Sequence, residues 1–164
     1  MSSKVMHEKA LQYYKNISDS AAFVFTSLVQ TEPRQKKVFN RRLSSLPNDI
    51  IIRFDFEADI SGYFAFFFSL KNALAICDRL VPGIDNKHFS NDHLDVLGEI
   101  GNMISGHTLS RLVSLDATIS LEPPRLAAFH EILAAEKGHM CYSSNFDIEL
   151  GKMGVLLAIE EPKG

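Results

Sequence analysis

Two carboxylates and a carboxamide, Asp95, Glu99 and Asn102, stand in the stretch Asn91 to Leu115, NDHLDVLGEIGNMISGHTLSRLVSL. On a helix with about 100° between successive residues they fall at about 0°, 40° and 340°, on one narrow face. Such a face joins groups that pair with cations to a group that both accepts and donates hydrogen bonds. Gly106 lies one turn after Asn102 on the same face, so no side chain covers the approach from that end. Val96, Leu97, Ile100, Met103 and Ile104 fall between about 80° and 200°, the side that a core should cover. Gly98, Gly101 and Ser105 form a third strip, almost without side chains. Each interior glycine costs a helix about 1 kcal/mol relative to alanine. Close packing on the flank and open access on the polar face would account for them.

The residues alone leave several readings open. The plainest is a solvated helix face, where most such side chains sit. A metal site is a second, since Asp95 and Glu99 are at i, i+4 with His93 and His107 nearby. Those histidines, however, point to other faces, at about 160° and 120°. Carboxylate-bridged di-metal bundles also need Glu-x-x-His pairs from two helices, and no second pair is present. No metal is expected.

The elements that must position this face can be read in chain order. Lys4 to Gln30 carries Met6, Leu11, Tyr14, Ile17, Ala21, Val24, Phe25 and Leu28 at threes and fours, which predicts a first helix ending at Thr31-Glu32-Pro33. Arg34 to Leu43 is basic, with Lys36, Lys37, Arg41 and Arg42, and reads as a charged edge strand or as a patch that steers an acidic partner. After a turn at Pro47-Asn48-Asp49, Ile50 to Glu57 alternates as a strand with Ile50, Ile52, Phe54 and Phe56 on one face. A turn at Asp59-Ile60-Ser61-Gly62 leads to Tyr63–Leu70, whose apolar run predicts a central strand. Asn72 to Val81 is a short amphipathic helix closed by Pro82-Gly83, with Cys77 as packing. Ile84 to Phe89 links it to the Asn91 helix, for which Ser90 or Asn91 is the cap and Asp92 complements the helix dipole. Ala117 to Leu121 is strand-like and runs into Glu122-Pro123-Pro124. Arg125 to Ala135 reads as a helical turn or two. Gly138 to Glu149 and Met153 to Glu160 are two terminal strands around a turn at Leu150-Gly151-Lys152. This order predicts an α+β fold, one domain over residues 1–164, with helices on one face of a largely antiparallel sheet.

Composition narrows the classes. A net charge of -3 gives no electrostatic case for nucleic acid. The aromatic run lacks the basic surround of a base-stacking platform. Two cysteines without metal or redox spacing read as reduced thiols. Neither a signal peptide nor a membrane-length apolar run is evident, so a cytoplasmic protein is expected.

Asp95-x3-Glu99-x2-Asn102, with Pro123-Pro124 about twenty residues downstream, resembles the signature of the CheC/CheX/FliY family, and the order of elements resembles its CheX-like branch. These are bacterial phosphatases that hydrolyse the aspartyl-phosphate of a chemotaxis response regulator. The resemblance implies the CheC-like fold, with a strand following the proline region. It implies that Asn102 positions the attacking water and that Glu99 docks on a lysine of a CheY-like receiver. Asp95 and Gly106 would face the partner. Mg2+ would be carried by the receiver, with no cofactor on this chain. The first helix holds no Glu-x-x-Asn, so one site and a homodimer are implied, as in the CheX-like branch. Two other classes stay open: a docking module that binds a receiver or motor-switch component without catalysis, and a small-molecule sensor using the phenylalanine-rich interior.

Overall fold

The computed structural model describes residues 2–29, 34–40, 46–113 and 119–161, with backbone alone for 29, 34–40 and 113. The elements are α1 (Ser3–Val29), β1 (Arg34–Asn40), β2 (Ile50–Glu57), β3 (Ser61–Phe68), α2 (Leu70–Leu80), α3 (Asn91–Val113), β4 (Ser120–Leu121), β5 (Arg125–Leu126), α4 (Phe129–Ala135), a 3-10 turn at Glu136–Gly138, β6 (His139–Ile148) and β7 (Gly151–Glu160). Every strand pairing is antiparallel. The strand order is β1-β6-β7-β3-β2-β4, with β5 also on β2. The expected α+β architecture is the one observed.

Period-two alternation divides the sheet into two buried faces. Ile52, Phe54, Phe56, Phe64, Phe66, Phe68, Val155, Leu157 and Ile159 share a core with α1, α2 and α3. Ile51, Tyr63, Ala65, Phe67, Leu156 and Ala158 share a second cluster with Ile132 of α4. Helices therefore cover one face as expected, and α4 adds a smaller cover to the other. β3 lies between β7 and β2 with both faces buried, as its apolar run requires.

Several boundaries differ from the sequence reading for local reasons. Ser61 and Gly62 belong to β3, because a hydrogen bond from Ala58 N–H to Ile60 O closes the turn earlier. Leu70 opens α2 rather than closing β3, since the Ser69 hydroxyl accepts from Asn72 N–H and caps the helix. Ile148 pairs with Gly151, so Glu149-Leu150 alone forms the last turn. Leu11 is exposed, lying about 120° from Ile17 on α1, while Ala10 and Tyr13 fill the stripe. The edge position of β1 fits its basic sequence. Thr31-Glu32-Pro33, Arg41, Arg42, Ser114, Leu115, Ala117 and Thr118 lie outside the described residues, as do the side chains of Lys36 and Lys37.

Arg125 to Ala135 divides in two: β5 pairs with β2, and only Phe129–Ala135 is helical. A strand does follow the prolines. Leu121 stands opposite Phe56 and Arg125 opposite Arg53, so three residues, Glu122 to Pro124, face two on β2. The prolines sit in a bulge of an edge strand, where a missing N–H is tolerated.

The buried arc of α3 includes Leu97, Ile100, Gly101, Ile104, Ser105, Thr108 and Leu112. It is centred near 220° in the numbering above, between the expected apolar side and the glycine and serine strip. This corrects the sequence expectation: Met103 is exposed and Val96 only half-buried, because the bare strip also faces the sheet. A Cβ on Gly101 would stand 2.6 Å from Cε2 of Phe54 and closer still to Cζ. Phe54 cannot yield: it is fully buried, stacked on Phe64 at 5.0 Å and edge-on to Phe66 at 6.0 Å. A Cβ on Gly106, by contrast, would meet nothing within 4 Å.

Two outcomes follow. Gly101→Ala is expected to destabilise by about 1–3 kcal/mol through overpacking, seen as a lower midpoint in thermal denaturation. Gly106→Ala is expected to stabilise by up to about 1 kcal/mol through helix propensity alone, seen as a higher midpoint. Cys77 and Cys141 are both buried free thiols, and burial pushes Cys77 up to about 11. The thiolate is the reactive form, so at pH 8 the native protein is expected to leave Cys77 untouched by a disulfide reagent that labels it in guanidinium.

Candidate functional site

The first turn of α3 is fixed before the site begins. Ser90 O accepts from Leu94 N–H at 3.1 Å, which makes Ser90 the cap. His93 Nδ1 accepts from Ser90 N–H at 3.0 Å, so His93 fills the place of the glutamate in a capping box. Its Nε2–H then donates to Asn86 Oδ1 at 2.9 Å, and the ring stacks on Phe89 at 5.4 Å. His93 is fully buried and ties the Ile84–Phe89 linker to the helix start. His107 packs its ring against Phe23 of α1 at 4.4 Å. The two histidines are thus engaged away from the carboxylates, on the faces that helical geometry assigned them.

Asp95, Glu99 and Asn102 are all exposed on the outer face of α3. An open groove is lined by Leu94, Asp95, Gly98, Glu99, Asn102 and Pro124. The sequence-selected residues therefore come together with Pro124, the second of the two prolines. Pro124 reaches α3 at the second bare position: a Cβ on Gly98 would stand 3.6 Å from Pro124 Cγ. The bulge between β4 and β5 is what turns it there. Glu122 N–H to Asp55 O at 2.9 Å and Ala127 N–H to Ile51 O at 3.0 Å anchor both sides of that bulge to β2. Gly106 is exposed beyond Asn102, and that approach is open.

No described side chain makes a hydrogen bond or ion pair with Asp95, Glu99 or Asn102. Two carboxylates and an amide thus stand ready to bind outward, on a helix whose inner side is locked to β2. The surface can accept a cation and can hold a small polar molecule between amide acceptor and donor. Sequence reasoning missed Leu94 as a wall of the groove and His93 as part of the cap. The Ser-x-x-His spacing was a signal for the second, in the place of Ser-x-x-Glu.

The phenylalanine-rich interior is filled. Among the described residues, a cavity between α1, α3 and the sheet, lined by Tyr13, Ile17, Phe56, Phe64, Leu112 and Leu121, has a volume of about 20 Å³. That is room for about one water molecule.

A family model described as "Chemotaxis phosphatase CheX" matches residues 50–147, more than half of the chain. The CheY-P phosphatase CheX of Thermotoga maritima is 22% identical over 101 residues, 62% of this chain. That match spans 65% of the relative's length, just under two thirds. The chemotaxis protein CheX from Desulfovibrio desulfuricans superposes with a TM-score of 0.73 at 14% identity, over 91% of this chain and 99% of the other. The CheX of Borrelia burgdorferi, solved with CheY, BeF3 and Mg2+, superposes with a TM-score of 0.72 at 17% identity, over 91% and 98%. At those identities the solved structures establish the CheC-like fold, and the family model carries the assignment: the chain belongs to the CheX family of chemotaxis phosphatases.

Proposed function

We propose that this protein hydrolyses the aspartyl-phosphate of a response-regulator receiver domain of the CheY type. The observation that carries the reading is the exposed carboxamide of Asn102 beside Glu99, on a helix locked to the sheet, in a chain of the CheX family. An aspartyl-phosphate is already a reactive acyl phosphate. A water attacks phosphorus in line, the bond from phosphorus to the aspartate oxygen breaks to give back the carboxylate, and inorganic phosphate leaves with the water's oxygen and its two protons, one of which exchanges with solvent. Such a reaction needs positioning and charge stabilisation more than a strong base. Asn102 Oδ1 accepts a hydrogen bond from the water while its NH2 donates to a phosphoryl oxygen. Glu99 pairs with a lysine of the receiver and so sets where the amide enters. Asp95 and Gly106 meet the receiver's surface on either side. Mg2+ belongs to the receiver in this reading, and this chain adds no cofactor.

The same reading places the protein in the cytoplasm with its substrate, as a homodimer. Among the described residues no helix is long and apolar enough to cross a membrane, which is compatible with that placement. A docking module without catalysis is the competing reading. Asn102 favours the enzyme, because docking alone has no need of a carboxamide at the centre of the face.

The test follows loss of 32P from phosphorylated receivers of the same organism, with and without the protein. Asn102→Ala is expected to lower kcat by about 100-fold with little change in KM, because its contact matters mainly in the transition state. Glu99→Ala is expected to raise KM and lower turnover together. Binding with no acceleration by any receiver would identify the docking module, and full activity of Asn102→Ala would refute the role of the amide.

A further inference from the structure

Gly98, Gly101 and Gly106 interrupt α3, and packing accounts for Gly101 alone. That residue lies against Phe54, where a Cβ would collide with a held ring. Gly98 and Gly106 stand four residues before and four residues after Asn102. They are its neighbours along one helical row, each about 40° from it around the axis. Glycine is the poorest helix former apart from proline, so two of them beside one amide call for a cause.

Gly106 is exposed with open space above it. Gly98 is buried next to Pro124, which suggests close packing. Distance rules that out. A Cβ on Gly98 would stand 3.6 Å from Pro124 Cγ, at ordinary van der Waals separation. No side-chain atom of Leu94, Asp95 or Asn102 comes within 4 Å of that position. An alanine therefore fits, and its methyl would stand in the groove that those residues line.

Size and place say what the groove takes. It holds about 480 Å³, against a share of about 30 Å³ for the attacking water, so there is room for a segment of protein. Helical side chains tilt toward the N-terminus of their helix, which sets the Asn102 amide over the turn of Gly98. An asparagine is short, so a phosphoryl group that meets its amide brings its own main chain close to this row.

We infer that Gly98 keeps the floor of the groove clear for the receiver segment that carries the phosphorylated aspartate, with Pro124 as the side wall. The inference rests on the phosphatase reading and deepens it: Gly98 is a positioning residue that trades helix stability for close approach. A methyl there holds the receiver off the helix and carries the phosphoryl group away from the amide, and a displacement of about 1 Å can cost 100-fold.

The experiment measures kcat/KM and the thermal midpoint of Gly98→Ala on a receiver that the wild-type protein dephosphorylates. The same substitution is made in a Pro124→Ala background, which removes the Cγ that the methyl would meet. Gly138→Ala is the control, since Gly138 is exposed in the turn after α4 with nothing within 4 Å of a Cβ. Gly98→Ala is expected to lower kcat/KM at least tenfold in both backgrounds, with a midpoint equal to or above that of its parent. Gly138→Ala is expected to stay within twofold of wild type. A smaller loss for Gly98→Ala, with an active wild-type protein, overturns the inference and leaves the phosphatase reading standing. A lowered midpoint, or a loss that disappears in the Pro124→Ala background, assigns Gly98 to packing and also overturns it. A wild-type protein that accelerates no receiver overturns both.

Discussion

The structure depends on one contact, the bare flank of Gly101 against the ring of Phe54. The ring is held between Phe64 and Phe66 inside the core, so the helix approaches as far as a missing Cβ allows. That contact fixes both the height and the rotation of α3 over β2. Rotation is what matters for chemistry, since turning the helix by one residue would carry Asn102 about 100° round. The cost of a glycine inside a helix, about 1 kcal/mol, is small beside a core contact that sets the direction of three polar side chains.

Two further devices act on the same helix. At its start, Ser90 N–H donates to His93 Nδ1 across the first turn, and Asn86 and Phe89 hold the histidine in turn. At its middle, the proline bulge between β4 and β5 places Pro124 over Gly98. The helix is thus gripped from the sheet, from its cap and from an edge strand. All three leave the face of Asp95, Glu99 and Asn102 open.

Much of this was legible in the sequence, and the reasons are physical. The polar face follows from helical period alone, and the two strands β2 and β3 follow from alternation and from an apolar run too long for one face. Which side of α3 packs inward was legible in part: Leu97, Ile100 and Ile104 are buried as expected, but the buried arc extends onto the glycine and serine strip. Hydrophobic periodicity points to Met103 and Val96, but glycines carry no hydropathy signal, and only the shape of Phe54 reveals that the bare strip faces inward too. Arg125 to Ala135 was unclear for a similar reason: a two-residue strand has no period, and its place is set by pairing with Ile52 and Arg53. Leu11 misled because it sits just off the edge of the α1 stripe. The candidate site was suggested by resemblance to a family signature, since Asp, Glu and Asn on a helix otherwise describe any solvated face.

The central claim is that the backbone of α3 places one amide to within the tolerance of an in-line attack. It is tested most directly by the dephosphorylation rate of Asn102→Gln at saturating receiver. Glutamine keeps the same amide and moves it outward by one methylene, about 1.5 Å, and a displacement of about 1 Å can cost 100-fold in a positioned reaction. The account predicts a kcat at least tenfold below wild type with the fold and receiver binding retained. A kcat equal to wild type would contradict it, because the position of the amide would then not matter.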